Sequence, residues 1–153
     1  METFGCQMNV SDSEKIVALL QGAGYLPTHD SSQADLIILN TCSVRAKAEQ
    51  KVYSRLGRYK GLKNRNRRLI LGVGGCVAQQ EGERLLEKVS YLDIVFGTHN
   101  LHMLPELVRA AEQGERLAEV AFIDNEKRLD LFPKEKERTA LCAMADYILE
   151  RRL

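Results

Sequence analysis

The run Leu36-Ile37-Ile38-Leu39 is apolar at every position and stops at Asn40, and Leu69-Ile70-Leu71-Gly72-Val73 repeats the pattern further along. A strand with one wet face alternates apolar and polar residues. An unbroken apolar run of four or five is a strand covered on both faces, as in a parallel sheet. Leu92-Asp93-Ile94-Val95-Phe96-Gly97 fits a further strand, and residues 117–123 a last one. Helical patterns fill the gaps. Ser11-Asp12-Ser13-Glu14 has the spacing of a capping box, so the first helix is expected to start there. It would bury Ile16, Val17, Leu19 and Leu20 and end at Gly22 and Gly24. A second stripe runs through Val44, Ala48, Val52, Leu56 and Tyr59 into Gly61, a third helix spans about 78–89, and a fourth spans about 101–113, stopped by Gly114. Alternation of strand and helix predicts an α/β domain with right-handed crossovers and helices on both faces of a parallel sheet. Glu2-Thr3-Phe4-Gly5 leaves room for only a very short, clipped first strand.

Ligands of open α/β sheets bind beyond the carboxyl ends of the strands, and there the cysteines fall. Cys6 follows the first strand, Cys42 the second and Cys76 the third, each one strand-helix unit after the last. The spacing brings three thiols to one edge, each near a helix N-terminus that favours thiolate over thiol. Gly5 and Gly75 precede two of them and would let the backbone approach a bulky inorganic group. Asn9, Asn40 and Thr41 lie close enough in sequence to supply hydrogen bonds around such a group. Without a C-x-x-C knuckle the spacing alone leaves zinc and a four-iron cluster both open, as it does the plain reading of three small buried side chains. The 153 residues suffice for one core, and no stretch approaches a membrane span or a signal peptide. Thiol, ligand or catalytic roles in a cytoplasmic protein are therefore expected of the cysteines ahead of a disulfide framework.

Glu2-Thr3-Phe4-Gly5-Cys6-Gln7-Met8-Asn9 with Ser11-Asp12-Ser13-Glu14, Asn40-Thr41-Cys42-Ser43-Val44-Arg45 and Gly74-Gly75-Cys76-Val77-Ala78-Gln79 resemble the N-terminal domain of the radical S-adenosylmethionine methylthiotransferases. Within that family, Phe4 to Asn9 is similar to the string found in the branch that modifies N6-dimethylallyladenosine in tRNA. The resemblance covers residues 1–125. It implies a flavodoxin-like three-layer sandwich with a mostly parallel sheet of four or five strands, in which Cys6, Cys42 and Cys76 hold an auxiliary [4Fe-4S] cluster with one open iron. It also implies that the chain is an N-terminal fragment of an enzyme that methylthiolates C2 of that adenosine in the anticodon stem-loop. S-adenosylmethionine and a second [4Fe-4S] cluster would belong to the full-length enzyme, with a sulfur donor and the tRNA as partners and self-association possible. The radical cluster requires a Cys-x-x-x-Cys-x-x-Cys run. Beyond Cys76 there is only Cys142, so this chain alone is expected to be inactive. Residues 126–153 read as a linker and an atypical tail.

Residues 45–68 carry ten Lys and Arg against Glu49 alone, although the whole chain has a formal net charge of +1. Lys51, Arg55, Arg58, Lys63, Arg65, Arg67 and Arg68 are candidate phosphate contacts for RNA; a solvated helix face is the plain alternative. Gly72-Val73-Gly74-Gly75 resembles a dinucleotide loop, but Val77 stands where G-x-G-x-x-G needs glycine. His29, His99 and His102 show no ligand spacing. A non-catalytic metal- or RNA-binding α/β module is the competing reading.

Overall fold

The computed structural model describes residues 1–43 and 48–122. Val44, Arg45, Lys47, Ile123, Cys142 and the tail at 126–153 lie outside the described residues. Met1–Ala121 forms one compact unit. It contains five strands, β1 (Glu2–Phe4), β2 (Leu36–Thr41), β3 (Ile70–Gly75), β4 (Ile94–Phe96) and β5 (Leu117–Glu119). All neighbouring pairs are parallel, in the order β1-β2-β3-β4-β5. The helices are α1 (Gln7–Gly22), α2 (Ala48–Arg65), α3 (Cys76–Glu81), α4 (Glu83–Lys88) and α5 (Leu104–Glu112). This is the three-layer, flavodoxin-like α/β sandwich.

The unbroken apolar runs explain the layers. Successive residues of a strand point to opposite faces. Ile37, Leu39, Leu71, Val73 and Val95 therefore pack with Val52 and Leu56 of α2, Val77 and Ala78 of α3, and Leu85 of α4. Ile38, Ile70, Ile94 and Phe96 pack on the other side with Ile16 of α1 and Leu104, Leu107 and Val108 of α5. β2 and β3 are covered on both faces, so alternation has no place in them.

Helix ends differ from their sequence signals. α1 starts at Gln7 with Cys6 as its N-cap, four residues before the capping-box match at Ser11. Asp12 and Ser13 are buried inside the helix. The expected third helix is two, α3 and α4, because Gly82 between them has φ +50°, outside the right-handed helical region. The fourth is a 3-10 turn, Leu101–Met103, leading into α5 with a proline in its first turn. The Arg116 guanidinium ties the end of α4 to the approach to β5, donating to the carbonyls of Leu86, Val89 and Leu92. Among the described residues no helix is long and apolar enough to cross a membrane.

Candidate metal centre

Sheet register places the three thiols. Phe4 pairs with Thr41, and Thr41 pairs with Gly75, so three strands end on one line. Cys42 and Cys76 are the next residues after Thr41 and Gly75, and Cys6 comes two after Phe4. Adjacent strands are about 4.8 Å apart, so the three strand ends occupy roughly 10 Å of one edge. Cys6 is exposed, Cys42 buried at 4% exposure and Cys76 in between, and all three are free thiols.

The glycines make room for protein atoms. A Cβ on Gly5 would overlap the Asn9 amide oxygen and stand 2.7 Å from Cβ of Cys42. Gly75 has φ +93°, and a Cβ there would overlap the Thr41 carbonyl and stand 2.6 Å from Oδ1 of Asn40. Each glycine thus makes room for the neighbouring cysteine-bearing turn. The missing side chains let the turns pack on each other, and that close packing is what the two positions demonstrably serve.

A buried hydrogen-bond network joins the same turns. Asn9, 2% exposed, donates through Nδ2 to Oδ1 of Asn40 (3.2 Å) and to the Thr41 carbonyl (3.2 Å). Asn40, 1% exposed, donates through Nδ2 to the Asn9 carbonyl and to Oγ of Ser13, both at 2.9 Å. Oγ of Ser13 lies 2.7 Å from Oγ1 of Thr3, and the Thr41 hydroxyl donates to the Gly74 carbonyl at 2.9 Å. Asn9, Asn40, Thr41 and Gly75 are thus all brought to the cysteine edge. Thr3 and Ser13 join them without having been singled out, because Ser13 reads as part of a cap and Thr3 as an ordinary strand residue.

Cys6 and Asn9 close a reciprocal cap: the Cys6 sulfur accepts from the backbone N–H of Asn9, and Oδ1 of Asn9 accepts from the Cys6 N–H at 3.3 Å. The backbone N–H groups of Asn9 and Met8, helped by the Cys42 side chain, hold the Cys6 thiol below its ordinary range, against a smaller opposing push from desolvation. Cys6 is thereby predisposed to the thiolate form that metals bind. Cys76 opens α3, and residues 44–47, directly after the Cys42 turn, lie outside the described residues. Among the described residues no three His, Cys, Asp or Glu side chains gather around a single point.

The basic segment divides into pinned and free cations. Nζ of Lys63 bonds Oδ2 of Asp93 at 2.6 Å and the Leu69 carbonyl at 2.5 Å, with 16% of its side chain exposed. Arg55 lies over the Phe4 ring at 5.2 Å and 3.6 Å from Glu2, which also accepts from the Tyr59 hydroxyl at 2.6 Å. Burial beside Glu2 pushes Tyr59 up to about 12. Lys63 and Arg55 therefore hold the fold together, and Lys63 in particular is unavailable to a ligand. Lys63→Met is expected to cost about 1–3 kcal/mol in urea denaturation, through the stranded Asp93 carboxylate. Lys51, Arg58, Arg65, Arg67 and Arg68 are exposed.

A family model described as uncharacterized protein family UPF0004 matches residues 1–97. Among curated relatives, a tRNA-2-methylthio-N(6)-dimethylallyladenosine synthase of Geotalea uraniireducens (strain Rf4) is 79% identical over 139 residues, covering 91% of this chain and 31% of that protein. A protein of the same name from Geobacter metallireducens (strain ATCC 53774 / DSM 7210 / GS-15) is 76% identical over 137 residues, covering 90% of this chain and 31% of that protein. One from Trichlorobacter lovleyi (strain ATCC BAA-1151 / DSM 17278 / SZ) is 50% identical over 143 residues, covering 94% and 33%. The chain thus spans about a third of the length of these relatives. With its three cysteine-bearing strand ends inside the matched residues, the chain belongs to the uncharacterized protein family UPF0004.

Proposed function

We propose that this chain is the part of a tRNA methylthiotransferase that holds an auxiliary [4Fe-4S] cluster on Cys6, Cys42 and Cys76. The larger enzyme would add a methylthio group to C2 of N6-dimethylallyladenosine beside the anticodon, in the cytoplasm. S-adenosylmethionine, the radical-forming cluster and the docking of a sulfur donor would belong to the remaining length that the relatives possess. The observation that carries the reading is the shared register of Phe4, Thr41 and Gly75, with a thiol just beyond each strand end.

Bound there, such a cluster would supply an iron without a cysteine ligand, able to coordinate the sulfur to be transferred. The chain's own residues have separable tasks. Cys42, buried under the edge, keeps water from its side of the site, whereas exposed Cys6 faces the approach. Asn9 supports the Cys6 thiolate through its backbone N–H, and through its side chain ties Cys6 to the turn of Cys42. Asn40 and Ser13 hold α1 against β2, so the two turns keep their spacing as the ligand set loads and empties.

Anaerobic reconstitution with iron and sulfide tests this. The intact chain should take up about four irons, with a thiolate-to-iron absorption band and the Mössbauer signature of a cubane. Cys42→Ala should abolish uptake while keeping the circular dichroism of the fold. Uptake well short of four, uptake indifferent to Cys42, or stoichiometric zinc in place of iron defeats the reading.

A further inference from the structure

From Gln50 to Arg68 the chain contains no Asp or Glu, and the acid just before it, Glu49, is engaged with Lys88 at 3.5 Å. Three cations in this stretch are taken up by neighbours: Arg55 by Glu2 and Phe4, Lys63 by Asp93, and Lys60 by the Tyr91 ring at 5.6 Å. The other five, Lys51, Arg58, Arg65, Arg67 and Arg68, have no carboxylate at ion-pair distance among the described residues. Lys51, Arg58 and Arg65 are spaced by seven, which is nearly two turns, so they form an almost straight row about 21 Å long on α2. Arg67 and Arg68 follow in the turn after the helix, where the Arg68 N–H donates to Oδ1 of Asn66. Beside the row, Cβ atoms added at Gly57 and Gly61 would meet nothing within 4 Å. Among the described residues, nothing packs over these two positions.

We propose that this row is a track for the sugar-phosphate backbone of an RNA stem. Free cations converging on one point suit a small anion, whereas cations strung over about 21 Å suit an extended polyanion whose charges recur at intervals. The neutral, low surface beside the row lets a bulky backbone lie close to the helix. α2 follows the Cys42 turn and runs away from the cysteine edge, so Lys51 stands near the thiols and Arg65 to Arg68 at the far end of the sheet. A stem lying along α2 would present the loop at one of its ends to the cysteines. Contacts of this kind position an RNA without reading its sequence. The inference rests on the reading that the complete enzyme acts on tRNA, and it assigns this chain a share of the tRNA grip.

The test is fluorescence anisotropy with the iron-free full chain and an anticodon stem-loop hairpin, over a salt series. Arg58→Gln/Arg65→Gln should weaken binding by about tenfold or more at low salt and make the log-log salt slope shallower by about two. Arg84→Gln/Arg109→Gln removes equal charge from exposed positions on α4 and α5 and should leave both quantities unchanged. Equal losses in the two double variants, or polyglutamate peptides or anionic vesicles binding as tightly as the hairpin, would overturn the proposal. Iron uptake by Arg58→Gln/Arg65→Gln is measured in parallel. Lost uptake in both this variant and the parent chain counts against the cluster reading alone, and an unchanged hairpin affinity with full uptake counts against the track alone.

Discussion

Gly75→Ala is expected to lower the thermal midpoint of the domain by roughly 10–15 °C, corresponding to about 3–4 kcal/mol. Two costs add. The backbone at this position has φ +93°, where an L side chain is strained. The new Cβ would overlap the Thr41 carbonyl, with Asn40 Oδ1 at 2.6 Å and the Thr41 nitrogen at 2.9 Å. A flexible side-chain tip could move aside, but the Thr41 backbone is held in register between β1 and β3. Relief therefore requires opening the strand ends that space the thiols, so the variant should also lose most of its iron uptake. Gly57→Ala is the matched control: its Cβ meets open space in the interior of α2, and alanine there should stabilise by about 0.5–1 kcal/mol. A Gly75→Ala midpoint within a few degrees of the parent chain, measured by calorimetry, would show that the cysteine turns are not interlocked as described.

Asn40→Ala is the second large effect, expected to cost about 2–4 kcal/mol. The substitution removes the two bonds that Asn40 donates, to the Asn9 carbonyl and the Ser13 hydroxyl, and the one that it accepts from the Asn9 amide, among side chains that are nearly fully buried. Asn40→Leu nearly preserves volume and should be as damaging, because the lost hydrogen bonds, and not an emptied space, carry the cost. Asn9 and Asn40 exchange two hydrogen bonds, so a double-mutant cycle should return a coupling of about 1–2 kcal/mol. Additive losses in urea denaturation would mean that the two amides act separately. Beyond stability, Asn40→Ala should shed iron to a chelator faster than the parent chain, because α1 and the turn of Cys42 would be joined, among the described residues, only through the bond from Asn9 to the Thr41 carbonyl.

Much of this architecture is legible in the sequence, for a definite reason. β2 and β3 are packed on both faces, and two-sided burial writes itself as an unbroken run such as Leu36 to Leu39. The cysteines are legible because strand-helix units are of similar length, so equal spacing becomes a shared edge. What was misread depends on partners distant in sequence. Ser11-Asp12-Ser13-Glu14 has the spacing of a cap, yet α1 had already begun at a cysteine, a residue outside the usual capping set, and Ser13 turns inward to Asn40. The basic segment looked uniform because Glu2 and Asp93, which take Arg55 and Lys63, lie far outside it in sequence. Gly75 reads in the sequence as room for an inorganic group; that a Cβ there would also meet Thr41 and Asn40 follows only from the sheet pairing.

The alignment of Phe4, Thr41 and Gly75 makes residue count the quantity that must not change. Deleting one residue from β3 would pull Cys76 back by about 3.3 Å and turn every following side chain of the strand to the opposite layer. The exposed stretch at 26–30 lies between the first two cysteines, far from the pairing, and can lengthen without moving either thiol. Insertions and deletions are thus confined to such loops, while the strands act as fixed-length rulers. A designer grafting this three-thiol edge onto another parallel sheet would have to copy the strand lengths before copying any side chain.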